Sequence, residues 1–346
     1  MIGMAIGDAI GSRVESNLNN VNREIKDIEM LLTNGINCLK PGQWTDDTSM
    51  GLCIADSLIE NRQFDPRNIM ARFILYRFYK NKHSVGIGRN VFESFKKYIY
   101  DKGKDNYTKN GNKNISGIGS IARNAAIPIC YFRNLKHALI CSELQSLITH
   151  QGYEAAGCCQ LLTYIIIKIL NKKSPKNQEY NKYKTNINNE SSILEQEKLK
   201  DILDNLEEFF CAYPSVNYLA QSLKEGKDKK RNWNWKDVNF KYNEEKEKIQ
   251  PDKISSYCMD CLSMALHILY HTYNFKDAIL KAANLGGNAS SLCSVVGQIA
   301  GAYYGLDSIP GDWIKTINMW SNGEIALRGY ILCNLEKVYF KKCIFK

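Results

Sequence analysis

Four short segments concentrate the residue types that do chemistry. Gly42-Gln43-Trp44-Thr45-Asp46-Asp47-Thr48 places three hard oxygen donors, Thr45, Asp46 and Asp47, on one turn ahead of an apolar run. Donors of this kind suit Mg2+ or Ca2+. The same residues suit helix capping equally well, with Thr45 as N-cap and two acids in the first turn, where the macrodipole favours negative charge. A cation at that positive helix end needs carboxylates that outweigh the dipole, so further acids must come from elsewhere in the chain. Gly7-Asp8-Ala9-Ile10-Gly11, continuing to Glu15, sets glycines four apart about an acid and predicts a tightly packed helix. Ser116-Gly117-Ile118-Gly119-Ser120 precedes Ile121-Ala122-Arg123-Asn124. A Gly-x-Gly-Ser loop that opens a helix offers backbone N–H groups to phosphate. The fourth segment, Asn284-Leu285-Gly286-Gly287-Asn288-Ala289-Ser290-Ser291, leads into a long apolar pattern.

The elements that must position these segments are helices. After Thr45, the apolar residues Met50, Cys53, Ile54 and Leu58 recur at three and four, as on one helix face. Tyr257, Cys261, Met264, Ala265, Ile268 and Leu269 repeat the pattern, as do Leu292, Val295, Val296 and Ile299. Gly297, Gly301 and Gly305 fall four apart, a smooth stripe along which a second helix approaches closely. Glycine is costly inside a helix, so the stripe predicts a central, tightly packed element. With seven prolines and little strand-like alternation, the expected fold class is all-α. Two stretches read as insertions within one domain over 1–346. Residues 171–190 are rich in Asn, Lys and Ser and read as a loop; 224–253 is charged throughout but carries Trp233 and Trp235, read as packing anchors. Between them, Ile193 to Tyr213 has helical spacing, and the whole region 171–253 is nearly neutral.

The chain has 346 residues, of which 44% are hydrophobic, enough to bury a sizeable core. The longest apolar runs, Leu161–Ile167 and Leu292–Gly305, are shorter than the roughly 18–20 residues of a membrane span, so no membrane is expected. The N-terminus lacks a basic n-region before Asp8, which argues against a secretory signal. Twelve cysteines without framework spacing suggest reduced thiols and a cytoplasmic or nuclear setting. The formal charge is +10, and residues 62–136 hold sixteen Lys/Arg against four Asp/Glu. Arg67, Arg72 and Arg77 sit among Phe73, Ile74, Leu75 and Phe78, the pattern of a solvated helix face. No nucleic-acid-binding signature accompanies the charge, so sequence-specific nucleic-acid binding is not expected. Cys258-x-x-Cys261 lacks a second cysteine pair and reads as core rather than zinc site, as does Cys158-Cys159. His267 and His271, four apart on one helix, read as a satisfied or solvated pair.

Taken together, the four segments resemble the ADP-ribosylglycohydrolase family in order and spacing. The resemblance runs from Met1 to about Trp313, outside 171–253, and includes Gly297-Gln298-Ile299-Ala300-Gly301-Ala302-Tyr303-Tyr304-Gly305. It implies a compact multi-helix bundle with a central metal cleft. It also implies hydrolysis of the bond between ADP-ribose and a modified side chain, or a related ADP-ribose derivative. Two Mg2+ ions hold the ribose in that family, and the substrate partner is ADP-ribose or an ADP-ribosylated protein. Thr45, Asp46 and Asp47 fall on the first group of metal ligands, and Asn288, Ser290 and Ser291 on the second. Glu15 falls on the acid that, in many members, orients the water or contacts a metal, and Asp46 is the second candidate for a catalytic role. Gly117, Gly119 and Ser120 fall on the diphosphate loop, and Thr149-His150 on the pair near the substrate.

The chain departs from the family pattern at the second ligand group. Gly-Gly-Asp-x-Asp-Thr becomes Gly286-Gly287-Asn288-Ala289-Ser290-Ser291, with two carboxylates replaced by neutral oxygens. Ile118 replaces an Asn in the diphosphate loop, and Gly86 replaces an Asp before Ile87-Gly88. Glu15, Asp46 and Asp47 offset one Mg2+ but not two. Two lost charged contacts, at about 1.5–3 kcal/mol each, weaken a second ion on the order of 10²–10⁴-fold. Three readings therefore stand: a hydrolase working with one well-held Mg2+, a pseudoenzyme that binds ADP-ribose or a protein without turnover, and, last in order, a structural protein that reuses the fold for packing.

Overall fold

The computed structural model describes residues 1–14, 39–78, 84–85, 87–103, 116–172, 199–206, 209, 233–240 and 255–335. The expected all-α architecture is found. In chain order the helices are α1 (Ile2–Gly11), α2 (Asp46–Asn61), α3 (Pro66–Phe78), α4 (Arg89–Tyr100), α5 (Gly119–Ala122), α6 (Ala126–Tyr131) and α7 (Leu135–Leu147). Then follow α8 (Tyr153–Lys172), α9 (Cys258–Tyr270), α10 (Phe275–Ala283), α11 (Ala289–Tyr304), α12 (Gly311–Ser321) and α13 (Glu324–Asn334). Among the described residues the only strand pairing is parallel and two residues long, β1 (Trp44–Thr45) beside β2 (Ser84–Val85).

Local chemistry sets several helix starts. Thr45 caps α2, its hydroxyl accepting from the Asp47 N–H, and Arg62 closes that helix in the left-handed region at φ 52°. Asn134 accepts from the His137 N–H at the start of α7, and Asn274 from the Asp277 N–H at the start of α10. Each cap satisfies an amide that the first turn leaves without a partner.

The seam that organises the fold lies between α1 and α11, which run antiparallel with backbone against backbone. A Cβ on Gly3 would lie 2.1 Å from the Gly297 carbonyl oxygen, one on Gly7 2.0 Å from that of Cys293, and one on Gly11 2.2 Å from that of Ala289. The glycine stripe on α11 is thus real at Gly297 and Gly301. Gly305 corrects the expectation: it lies past the helix end at φ +83°, with nothing near its Cβ position, and serves the turn instead.

Around this seam α8 and α9 complete the core. Every residue of α9 from Cys258 to Leu269 is buried, including Asp260 and His267. Cys158, Cys159, Cys258 and Cys261 are fully buried, as the core reading requires. The 20-residue α8 corrects a second expectation, because it is long and apolar enough to cross a membrane by length and composition. Within the protein 78% of its apolar window is buried, which is the behaviour of a core helix.

Part of the insertion belongs to the same core. Leu199, Leu203, Leu206 and Phe209 pack into it, as do Trp233, Trp235 and Phe240. Trp235 is 1% exposed and stands edge-on to Tyr270, so the tryptophans are packing anchors. The turn carrying them also satisfies the histidine pair. His267 Nδ1 donates to the Trp235 carbonyl at 3.0 Å and His271 Nε2 to the Lys236 carbonyl at 3.1 Å. The Asn/Lys/Ser-rich loop expectation falls outside the described residues, apart from Asn171 and Lys172, which finish α8.

Candidate active site

The site is built where the C-terminal end of α1 meets the N-terminal ends of α2 and α11. Asp8, on the last turns of α1, is fully buried. Its carboxylate accepts the Thr45 N–H at 3.1 Å, the Thr45 hydroxyl at 2.7 Å and the Thr48 N–H at 2.9 Å. One acid thereby satisfies the amides at the start of α2 and fixes the Thr45–Thr48 turn. Burial pushes the Asp8 carboxyl up to about 6, against the opposing pull of these hydrogen bonds. Trp44 adds a second brace, its indole N–H donating to Ser49 Oγ at 3.1 Å.

Asp46 and Asp47 leave this turn in different directions. Asp46 is half-buried, and its Oδ2 accepts the Gly88 N–H from the start of α4 at 3.2 Å. Burial raises its carboxyl above the ordinary range, opposed by that hydrogen bond and by the Arg123 charge. Asp47 is buried, and its Oδ2 accepts from Ser291 Oγ at 2.6 Å across 244 positions of sequence. The two segments expected to carry the ligand groups therefore meet. Gly286 and Gly287, at φ 61° and 63°, turn the chain into Asn288, the N-cap of α11. Ser290 is buried in the first turn of α11, and Gly11 lies against its Cα. Glu15 lies outside the described residues. Among the described residues no three His, Cys, Asp or Glu side chains are grouped as a metal cluster. The turn supplies two carboxylates, Asp46 and Asp47, and the Ser291 hydroxyl is bonded to Asp47. Hard oxygen donors with two unit charges fit one divalent hard cation.

The Gly117–Ser120 segment, expected as the diphosphate loop, sits beside the Thr149-His150 pair. Gly117 forms an antiparallel bridge with Tyr257, and the Cys258 N–H donates to the Ser116 carbonyl at 2.9 Å, so the loop is pinned to the start of α9. A Cβ on Gly117 would lie 3.1 Å from His150 Nε2, and one on Gly119 3.4 Å from its Cε1. The two glycines leave room for the imidazole. Ser120, expected as the last residue of that loop, has its side chain turned away from it. It is fully buried inside α5, where its Oγ accepts from Ser146 Oγ at 2.9 Å. The helix begins at Gly119, one residue before it, and the helical turn carries Ser120 inward.

Sequence reasoning missed two residues that hold this arrangement. Asp8 was visible only as an acid in an apolar helix. Arg123 looked like one more cation in a basic stretch, yet it is fully buried over the Phe73 ring. Its guanidinium donates to Gln145 Oε1 at 3.1 Å, the Gln145 carbonyl at 2.9 Å and Thr149 Oγ1 at 2.8 Å. A buried hydrogen-bond network of Asn124, Ser142, Gln145 and Thr163 surrounds it.

The family model for ADP-ribosylglycohydrolase matches residues 1–337. The chain belongs to the ADP-ribosylglycohydrolase family. It is 30% identical to the ADP-ribosylarginine hydrolase Tri1 of Serratia proteamaculans, over 92% of this chain and 74% of that protein. It is 24% identical to the ADP-ribosylhydrolase ARH3 of Gallus gallus, over 78% of this chain and 72% of that protein. A solved ADP-ribosylglycohydrolase-related protein complex superposes with a TM-score of 0.71 at 25% identity, covering 97% of this chain and 96% of that one. The expected family and fold class thus agree with independent comparison.

Proposed function

We propose that the protein is a Mg2+-dependent hydrolase that releases ADP-ribose from modified protein side chains, with Arg-linked ADP-ribose as the first substrate. The observation that carries this reading is the Asp47–Ser291 hydrogen bond of 2.6 Å, which brings both ligand segments of this family member to one place. The relative from Serratia proteamaculans, named an ADP-ribosylarginine hydrolase, supports the arginine linkage.

Thr45, Asp46 and Asp47 would hold one Mg2+, with Ser291 and Asn288 as neutral neighbours and Ser290 buried behind them. When bound, the ion would supply orientation of the ribose hydroxyls. The chain's own residues do the rest. Asp8 holds the Thr45–Thr48 turn rigid, so the carboxylates need no reorganisation when substrate arrives. Glu15 is assigned to orient the water, whose hydroxide adds to C1″ while its proton goes to the released side chain. Such a cleavage passes through an oxocarbenium-like state that nearby carboxylates stabilise. The second Mg2+ site lacks both acids at 288 and 290 and fills weakly.

The test is ADP-ribose release from Arg-linked and Ser-linked ADP-ribosylated peptides at millimolar Mg2+, beside Asp46→Ala. Release from the Arg-linked peptide that falls by at least about 10²-fold in Asp46→Ala supports the hydrolase. Tight ADP-ribose binding with no release from either peptide would establish a binding module instead.

A further inference from the structure

A cavity of about 280 Å³ lies at the opposite end of the α1–α11 seam from the candidate active site. Its walls come from the start of α1, from α6, from the end of α8, from the second half of α11 and from α13. Gly3 lines the cavity and Gly11 meets Ser290, eight residues further along α1. At the rise of an α-helix the two places are about 12 Å apart. Small residues leave the space open. Gly3 and Gly297 meet backbone to backbone, which draws α1 and α11 together. Gly301, Ala302 and Gly329 then send nothing larger than a methyl group into the gap between the seam and α13. Protein interiors hold few voids larger than a water molecule, so a space of this size is unusual.

Among the residues that line it, Gln298 carries the one polar side chain, and it is 4% exposed. Its Nε2 donates to the Ile121 carbonyl at 3.1 Å and to the Ala122 carbonyl at 2.7 Å, so both amide hydrogens are used. The Oε1 of the same amide has no partner among the described residues. A buried acceptor left without a donor is costly. A lone water does not repair this, because a buried water needs roughly two to four polar partners and the side chains here offer one. The rest of the wall, including Ile129, Ile166, Leu170 and Ile325, is apolar.

We propose that this cavity is a binding site for a small uncharged molecule with an apolar body the size of two fused rings and one hydrogen-bond donor, which pairs with Gln298 Oε1. The inference goes beyond the ADP-ribose reading above and does not rest on it. Volume sets the size of the ligand. An apolar cavity of about 150 Å³ holds one benzene, so this one takes a bicyclic or comparable aliphatic body. Polarity sets the rest. The side chains of the wall carry no charge, and a desolvated ion without a counter-charge is strongly disfavoured, which excludes a nucleotide. A single donor matches the single unpartnered acceptor.

Indole is the probe, being two fused rings with one N–H, and benzothiophene is the isosteric control without a donor. Ligand-observed NMR titrations of the full chain measure both affinities. Indole is expected to bind about tenfold more tightly than benzothiophene, the scale of one hydrogen bond. Gly329→Leu fills the space from α13. A Cβ at Gly329 lies 3.5 Å from the Met1 Cγ, an ordinary contact, and leucine is the better helix former. Ala302→Phe fills the same space from α11 as an independent variant. Each should weaken indole binding by at least about tenfold while thermal melting stays cooperative. No binding of indole at millimolar concentration overturns the site. Equal affinities for indole and benzothiophene overturn the role of Gln298 and with it the ligand class. Wild-type affinity for indole in either filling variant that still melts cooperatively places the probe elsewhere and also overturns the proposal.

Discussion

Gly11→Ala offers the sharpest test of how the α1–α11 seam serves the site. The added Cβ would lie 2.2 Å from the Ala289 carbonyl oxygen, 2.5 Å from its carbonyl carbon and 2.7 Å from the Ser290 Cα. All three are backbone atoms, so no side-chain rotation relieves the clash. Restoring an ordinary carbon–oxygen contact requires the first turn of α11 to withdraw by about 1 Å. Overpacking of this kind costs about 1–3 kcal/mol, and the rigid backbone on both sides puts this case at the upper end. The displaced turn carries Ser290 and Ser291, whose hydroxyl bonds Asp47. A misplacement of about 1 Å at reacting groups costs on the order of 10²-fold in rate. Gly301→Ala is the control, because its Cβ would lie 3.3 Å from the Gly3 Cα and needs only a slight adjustment. Alanine is also the better helix former by about 1 kcal/mol, so this variant should stay within about 1 kcal/mol of wild type. Urea denaturation at constant m and ADP-ribose release measure the two effects. Wild-type midpoint and turnover in Gly11→Ala would refute the idea that backbone contact along this seam sets the site.

Other expectations follow from the same geometry. Asp8→Asn removes the oxygen that accepts the Thr45 hydroxyl and the charge behind the other contacts, and should lower stability by about 2 kcal/mol in urea titrations while weakening Mg2+ binding. The double variant Asn288→Asp/Ser290→Asp should raise Mg2+ affinity by calorimetry on the order of 10²-fold or more. Because Ser290 is buried, the same variant should melt earlier than wild type without the metal and recover with it. His150 is held neutral in the fold, with its value moved from 6.5 to about 3. The unfolded chain gains a proton below 6.5 that the fold refuses, so the stability this residue contributes is present above that pH and lost as pH falls toward 3. In His150→Gln the urea midpoint should fall less steeply between pH 6.5 and 4 than in wild type.

Much of the fold was legible because its periodicities are local. The four-residue spacing of Met50, Ile54 and Leu58, the Thr45 cap and the close approach implied by Gly7, Gly11 and Gly297 all survive in the structure. Each depends on how a residue meets the helix it belongs to, and helix geometry is known in advance. Gly305 failed the same test because helix ends are set by where packing stops, which the repeat does not record. The segments Thr45–Asp47 and Asn288–Ser291 were singled out through the family pattern, and their meeting at Asp47 and Ser291 follows from the fold.

The residues that hold the site behaved differently. Asp8, Arg123 and Ser120 have side chains whose roles are decided by partners far along the chain: Asp8 caps a helix that begins 38 residues later. Arg123 was counted among surface cations because charge in a sequence has no direction, while burial and hydrogen-bond polarity give it one. By itself the sequence determined the helical class, the positions of the principal helices and the residue types available to bind a cation and a diphosphate. Tertiary structure alone decided that Ser120 turns inward, that Asp8 ties α1 to α2, and that Arg123 is buried with its guanidinium on Gln145 and Thr149. The physical reason is that a hydrogen-bond donor or a charge takes its meaning from the atoms that desolvate and pair it, and those atoms are brought together only when the helices pack.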